Sequence, residues 1–325
     1  MLACLQSAAF LCAASVTTAL DQPSPDASIG GYAATLIQGR LARLVALQAE
    51  VLADQHPEPL HQMRVTCRQL CATLQQFAPA LSLPDPAAAE RLAKVGRRLG
   101  CRRDLDVLQK RLEHGFGPLL PEKEGEVLRK LLNQLRRERK LAFEAVEEGL
   151  KGRRYLKLLA QLQGWLRQPQ ITPLGEQPMR AWWGEFCQSA LHGLVLEPGW
   201  QLEQPRGPQA QLQLHQLRKR LKRSRYGLAN LEPLHPDALA PWLERLRAMQ
   251  QHLGDLHDLQ LLDQALHRQF HDAPDRVAPC LCSLLLEAHD QTWLTWRREA
   301  DALRTPAGRA ALQRLPLELT GLTNP

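Results

Sequence analysis

Residues 214–226 read Leu-His-Gln-Leu-Arg-Lys-Arg-Leu-Lys-Arg-Ser-Arg-Tyr. They hold the cations Arg218, Lys219, Arg220, Lys222, Arg223 and Arg225, and no acid occurs between Glu203 and Glu232. His215, Arg218, Lys222 and Arg225 fall at i, i+3, i+7 and i+10, which is one face of an α-helix. Such a row presents positive charge and N–H donors about every 5 Å along the axis. Phosphate oxygens suit that chemistry, because an Arg fork can grip two oxygens at once. Like charges on one face destabilise an isolated helix. A bound polyanion would offset the repulsion; the plainer reading is a solvated basic face.

A second, matched row argues for the polyanion. His61 and His215 differ by 154 positions, and so do Arg64 and Arg218, Arg68 and Lys222, and Leu74 and Leu228. The same offset pairs Pro79 with Pro233, Leu99-Gly100 with Leu253-Gly254, and Asp104-Leu105 with Asp258-Leu259. One ungapped offset through two predicted helices and their turn marks an internal repeat. Each row opens on a histidine near a helix N-terminus, where a ring N–H and the helix dipole both favour an anion.

The two copies differ in charge. Gln69 and Cys71 stand where the second copy has Arg223 and Arg225. Conversely, the next helix of the first copy carries Lys94, Arg97, Arg98, Arg102 and Arg103, against Ala248, Gln251, His252, Leu256 and His257. The expected groove therefore joins Leu214–Tyr226 to Arg97, Arg98, Arg102 and Arg103, with unequal contributions from the two halves.

The elements that must position these residues are helices. Leucines recur at helical spacing from about Tyr32 to Asp54, Leu60 to Phe77, Ala87 to Leu112 and Glu122 to Leu150, with a shorter helix at Arg153–Arg167. The plan then repeats over Ala181–Leu196, Gln209–Leu231, Ala238–Phe270 and Pro279–Leu303. No alternating β-branched run suggests a strand. The expected fold class is all-α: two tandem antiparallel four-helix bundles related by the internal repeat about a pseudo-twofold axis. The divisions are an N-terminal arm (1–30), a first repeat (31–167), a Pro-rich linker (168–178), a second repeat (179–304) and a C-terminal tail (305–325).

Composition narrows the partners. A net charge of +7 with pI near 9.1 points to anions: nucleic acid, phosphate polymers or anionic lipid. Aromatic residues make up only 5%, which leaves few stacking platforms for single-stranded nucleic acid. Cys4, Cys12, Cys67, Cys71, Cys101, Cys187, Cys280 and Cys282 match no zinc framework and suit a reducing, cytoplasmic setting. The uncharged first twenty residues resemble a signal segment loosely but lack its basic start, so export is not expected. No run of eighteen apolar residues suggests a membrane span.

Signals for catalysis are weak. Asp104, Asp106 and Asp258 could hold a divalent ion for phosphoanhydride hydrolysis. Their spacing from arginine favours a structural role, orienting guanidinium groups by charge-assisted hydrogen bonds. No phosphate-binding loop, dinucleotide fingerprint or zinc-protease motif occurs. No metal or cofactor is expected, and the oligomeric state is not legible.

Four stretches carry a family resemblance. They are His61-x-x-Arg64-x-x-x-Arg68 leading to Phe77-Ala78-Pro79, and Leu99-Gly100-x-x-Arg103-Asp104-x-Asp106-Val107-Leu108. The others are His215-x-x-Arg218-x-x-x-Lys222-Arg223-x-Arg225-Tyr226 and Leu253-Gly254-Asp255-Leu256-His257-Asp258. Over about Tyr32 to Leu303 the chain resembles the conserved histidine α-helical domain (CHAD) family. The resemblance implies paired four-helix bundles with a basic surface for inorganic polyphosphate, and polyphosphate-granule association in some members. It implies phosphate contacts from His61, Arg64, Arg68, His215, Arg218, Lys222, Arg223 and Arg225; Lys219, Arg97, Arg98, Arg102 and Arg103 extend that set by charge and position. Gln69 and Cys71 depart from the pattern. The E-x-E-x-K signature of the triphosphate tunnel domain found beside many members does not occur.

Overall fold

The structure is a computed structural model that describes residues 24–270 and 274–319. The signal-like stretch, Cys4, Cys12 and most of the expected arm lie outside the described residues. The described chain is helical, with two isolated β-bridges and no strand among the described residues. The first half contains α1 (Ile29–Ala53), α2 (Pro57–Gln76), α3 (Ala88–Lys110), α4 (Gly125–Lys151) and α5 (Arg153–Arg167). The second contains α6 (Trp183–Leu191), α7 (Pro208–Ala229), α8 (Pro236–Phe270), the one-turn α9 (Pro274–Val277), α10 (Pro279–Arg304) and α11 (Pro306–Leu319).

Prolines open α2, α7, α8, α10 and α11, where the missing N–H is one the helix would leave unpaired anyway. Ser28 caps α1 by accepting from the Gly31 amide at 3.1 Å. At the other end of α1, Asp54 takes a left-handed conformation (φ 47°), which ends the helix and swings its carboxylate toward α3.

Two apolar cores hold the helices. The larger gathers Leu44, Leu70, Phe77 and Leu99 from the first half with Leu217, Leu228, Leu246 and Trp296 from the second. The smaller joins the far ends of two long hairpins: Leu108 of α3, Leu131 and Leu135 of α4, Leu259 and Leu266 of α8, and Leu281 of α10. Between these cores α2 packs against α7, and α3 against α8. The polar middle of the molecule lies there.

The Pro-rich linker at 168–178 is tied down by backbone hydrogen bonds. Gly30 N donates to Gly175 O at 2.9 Å and Thr172 N to Ala80 O at 3.2 Å, lacing the segment onto the first half. A Cβ on Gly175 would sit 2.2 Å from Ala80 O, so the approach needs glycine. The expected tail holds α11, whose buried Leu312 and Leu315 join the larger core.

Asn230 is the polar pin between the halves. It follows α7 at the position that the offset pairs with Gln76 on α2, and its Nδ2 donates to Gln76 Oε1 at 2.5 Å. Arg40 Nη1 and Thr73 Oγ1 both donate to Asn230 Oδ1, and Tyr32 donates to its carbonyl. The side chain is fully buried. Asn230→Leu would leave the Arg40 guanidinium and the Gln76 amide oxygen short of a buried partner, costing about 2–3 kcal/mol. Urea unfolding should show that loss, and a change below about 0.5 kcal/mol would show that the network carries little.

Candidate functional site

The two basic rows face one another. Packing α2 on α7 brings Arg64 and Arg68 within electrostatic reach of Lys222, together with Arg218 of its own helix and Asp104 of α3. Arg218 in turn senses Asp104, Asp258 and Arg68. His61 senses Arg64, Arg103 and Arg68, while His215 senses Lys219, Arg218 and Lys222. The His215 and His257 rings stand 6.2 Å apart. A half-buried ring of cations thus surrounds two carboxylates, Asp104 and Asp258.

These cations differ from a second group that is paired with acids. Arg91, Arg98, Arg102, Arg111, Arg136, Arg139 and Arg220 all contact a carboxylate. Among the described residues Arg64, Arg68, Arg103, Arg218 and Lys222 have no carboxylate in ion-pair contact. The buried Nε atoms of Arg64 and Arg218, 154 positions apart in sequence, have no hydrogen-bond partner, nor does Nδ1 of His61. Uncompensated buried donors are costly, and a phosphate oxygen would satisfy them.

Crowding shifts the titrations. Burial, then Arg218, Arg68 and Arg64, pull Lys222 down to about 6 against the opposing pull of Asp104. Burial brings Arg64 down to about 10. His257 falls to about 4, first through burial and then through Arg218. Burial lifts Asp258 to about 6 in spite of Arg111. Burial also lowers His61 and His215. Without an anion the site therefore holds less charge at neutral pH than its residue list suggests.

The structure redistributes the expected site residues. Arg64 and Arg68 of α2 meet Arg218 and Lys222 of α7, while His61 lies beside Arg64 and Arg103, and His215 beside Lys219 and His257. Arg103 joins them from α3, and Arg97 lies exposed on α3 near Cys71. Lys219 and Arg223 are exposed on α7. Arg225 is partly engaged, its Nε donating to Gln250 Oε1 at 3.0 Å and its guanidinium lying over Tyr226.

Arg102 is a correction. It is 0% exposed, pairs with Asp54 at 2.7 Å and with Asp106, and cannot reach a polymer. Its position on α3 puts it on the face turned to the core, and charge counting does not resolve faces. Arg98 is also turned away, donating to Ala145 O at 3.1 Å and pairing with Glu148 at the end of α4. The groove wall expected from α3 is thus reduced to Arg97 and Arg103, and α2 supplies the surface opposite α7.

The acids divide. Asp106 orients arginines, holding Arg102 and Arg139. Asp104 and Asp258 sit among the unpaired cations. Sequence reasoning missed Asp54 and Arg139, which complete the buried network. Their only sequence signal was an acid at a predicted helix end and an arginine in a mixed-charge run. Among the described residues no cluster of three or more His, Cys, Asp or Glu is placed to hold a metal, and no helix is long and apolar enough to cross a membrane.

The family model for the CHAD domain matches residues 35–267. The fold is similar to the crystal structure of the CHAD domain from the plant Ricinus communis, at 23% identity and TM-score 0.60, covering 89% of this chain and 93% of that one. It is also similar to PptA from Streptomyces chartreusis, at 20% identity and TM-score 0.56, covering 89% and 99%. At these identities the likeness is one of fold. No curated protein matches the sequence.

Proposed function

The chain belongs to the CHAD family, and from that premise we propose that it binds inorganic polyphosphate between α2 and α7 without turning it over. The observation that carries this reading is the convergence of Arg64, Arg68, Arg218 and Lys222, unpaired, from matched places in two repeats. A linear polyanion bears charge on every phosphoryl unit and can meet both rows at once. Arg103, His61 and His215 extend the contact, and the exposed Lys219, Arg223 and Arg97 draw the chain in. Asp104 and Asp258 keep the cations apart and oriented. Granule association belongs to the same proposal.

The test is a competition. Long-chain polyphosphate is set against DNA, RNA, ATP and anionic vesicles, with phosphate release assayed with and without Mg²⁺. Preference for polyphosphate without release supports the reading. Stronger binding of nucleic acid or vesicles, or Mg²⁺-dependent release lost in Asp104→Ala, would overturn it.

Proton linkage supplies a second check. Lys222 titrates near 6 in the free protein, among Arg218, Arg68, Arg64, His257 and Asp104. A phosphate beside it would raise that value toward the ordinary 10.5, so binding takes up a proton at any pH between the two. Calorimetry at pH 7.5 in buffers of different ionisation enthalpy should show uptake of up to about one proton, and affinity should fall as pH rises. Buffer-independent heats would refute this. Folding stability depends on pH in the opposite sense: between about 6 and 10.5 the unfolded chain holds a proton that the folded one lacks. Stability is therefore lost as pH falls through that window.

A further inference from the structure

The first half of the molecule fills a space that the second half leaves open. In the first half α1 runs on to Ala53, and Asp54 reaches the buried Arg102. In the second, α6 stops at Leu191, Gly193 turns the chain at φ +70°, and it returns through short 3₁₀ turns and the loop at Pro205–Pro208. The repeat offset pairs Arg102 with Leu256 and Asp106 with Gln260. Where the first half packs an ion network, the second has a cavity of about 830 Å³ between α7, α8 and α10.

Its walls are apolar, formed by Leu214, Leu253, Leu256 and Leu285, and Leu212 and Leu286 stand 53% and 50% exposed at the rim. One end is cationic: Arg218, with its unpartnered Nε, beside His215 and His257. Six residues further along α8, about 9 Å, the lining turns acidic at Asp263, with Asp275 beside Cys282.

We propose that this cavity binds an anionic amphiphile, a single alkyl chain against the leucines with a phosphate or carboxylate head on Arg218. The acidic end repels the head and fixes its direction. An inorganic polyanion has no use for the leucine walls, and a neutral alkane none for Arg218. The site shares Arg218 with the polyphosphate channel, but its alkyl-binding walls lie outside that channel, so either can exist without the other.

The full chain is titrated with hexyl, octyl and decyl phosphate below micelle-forming concentrations, beside inorganic phosphate, decanol and decanoate. Affinity should rise about fourfold for each added methylene, and decyl phosphate should bind at least tenfold more tightly than decanol. Tight decanoate binding identifies a carboxylate head at the same site. Leu286→Glu, on the exposed rim, should weaken decyl phosphate at least tenfold and leave polyphosphate binding unchanged. Leu256→Arg, which installs the first half's residue, should abolish alkyl binding. Affinity independent of chain length, decanol binding as tightly as decyl phosphate, or no response to Leu286→Glu would each overturn the proposal. Loss of polyphosphate binding with alkyl binding intact would defeat the proposed function alone.

Discussion

Arg218→Ala/Lys222→Ala should bind long-chain polyphosphate about a hundredfold more weakly than the parent protein at physiological salt. Each side chain offers charge-assisted hydrogen bonds, and such bonds contribute about 1.5–3 kcal/mol apiece. Losing two gives roughly the stated factor even with some rearrangement. Arg64→Ala/Arg68→Ala should cost a similar amount. The sequence alone suggested an unequal split, because α2 lacks counterparts of Arg223 and Arg225. The fold places all four side chains in one cluster, where Lys222 senses both Arg64 and Arg68. Equilibrium binding over a range of salt separates the cases. Both variants should also show a shallower salt dependence, by about one unit of slope for each cation removed. A loss confined to the α7 pair would restore the asymmetric reading. No loss in either would remove the channel from consideration. Neither variant should unfold, because removing like charges from a crowded half-buried cluster relieves repulsion.

Asp106→Ala should destabilise the protein by about 3–5 kcal/mol, the largest effect expected outside the apolar cores. Asp106 and Asp54 together neutralise Arg102, which is 0% exposed, and Arg139 bridges the same two acids at 3.1 Å to each. Removing one acid leaves two guanidinium groups against a single carboxylate, one of them with no route to water. The second half shows that the charge is dispensable when both partners go. Leu256 and Gln260 occupy the matched positions and leave no buried charge. Arg102→Leu/Asp106→Gln should therefore cost far less than Asp106→Ala, under about 2 kcal/mol, because Asp54 keeps its pair with Arg139. Urea unfolding of the two variants decides the matter; equal losses would mean that packing rather than charge governs this site.

The site was legible in the sequence to different depths on different helices. The α2 and α7 rows were readable because helical spacing alone puts His61, Arg64 and Arg68, or His215, Arg218 and Lys222, on one face. On α3 the cations are consecutive or nearly so. Arg97, Arg98, Arg102 and Arg103 point to different sides of one helix, and only packing says which side meets water. Arg102 went to the core and Arg98 to the end of α4. Asn230 was invisible for a related reason: an asparagine after a helix reads as a terminator until Gln76, Arg40 and Tyr32 converge on it.

What the sequence determined by itself was periodic. Leucine spacing set the helices, proline set where most of them begin, and one offset of 154 set the correspondence between halves. These are properties of residues near one another along the chain, or of two segments compared with each other. The tertiary structure decided which helices touch, and so everything that depends on distance between segments. It set α2 against α7, and thereby made four unpaired cations into one cluster. It turned Arg102 inward onto Asp54, and it left a cavity beside Leu256 where α6 falls short. Charge and burial act through space, and a chain's own order does not encode which distant side chain will share that space.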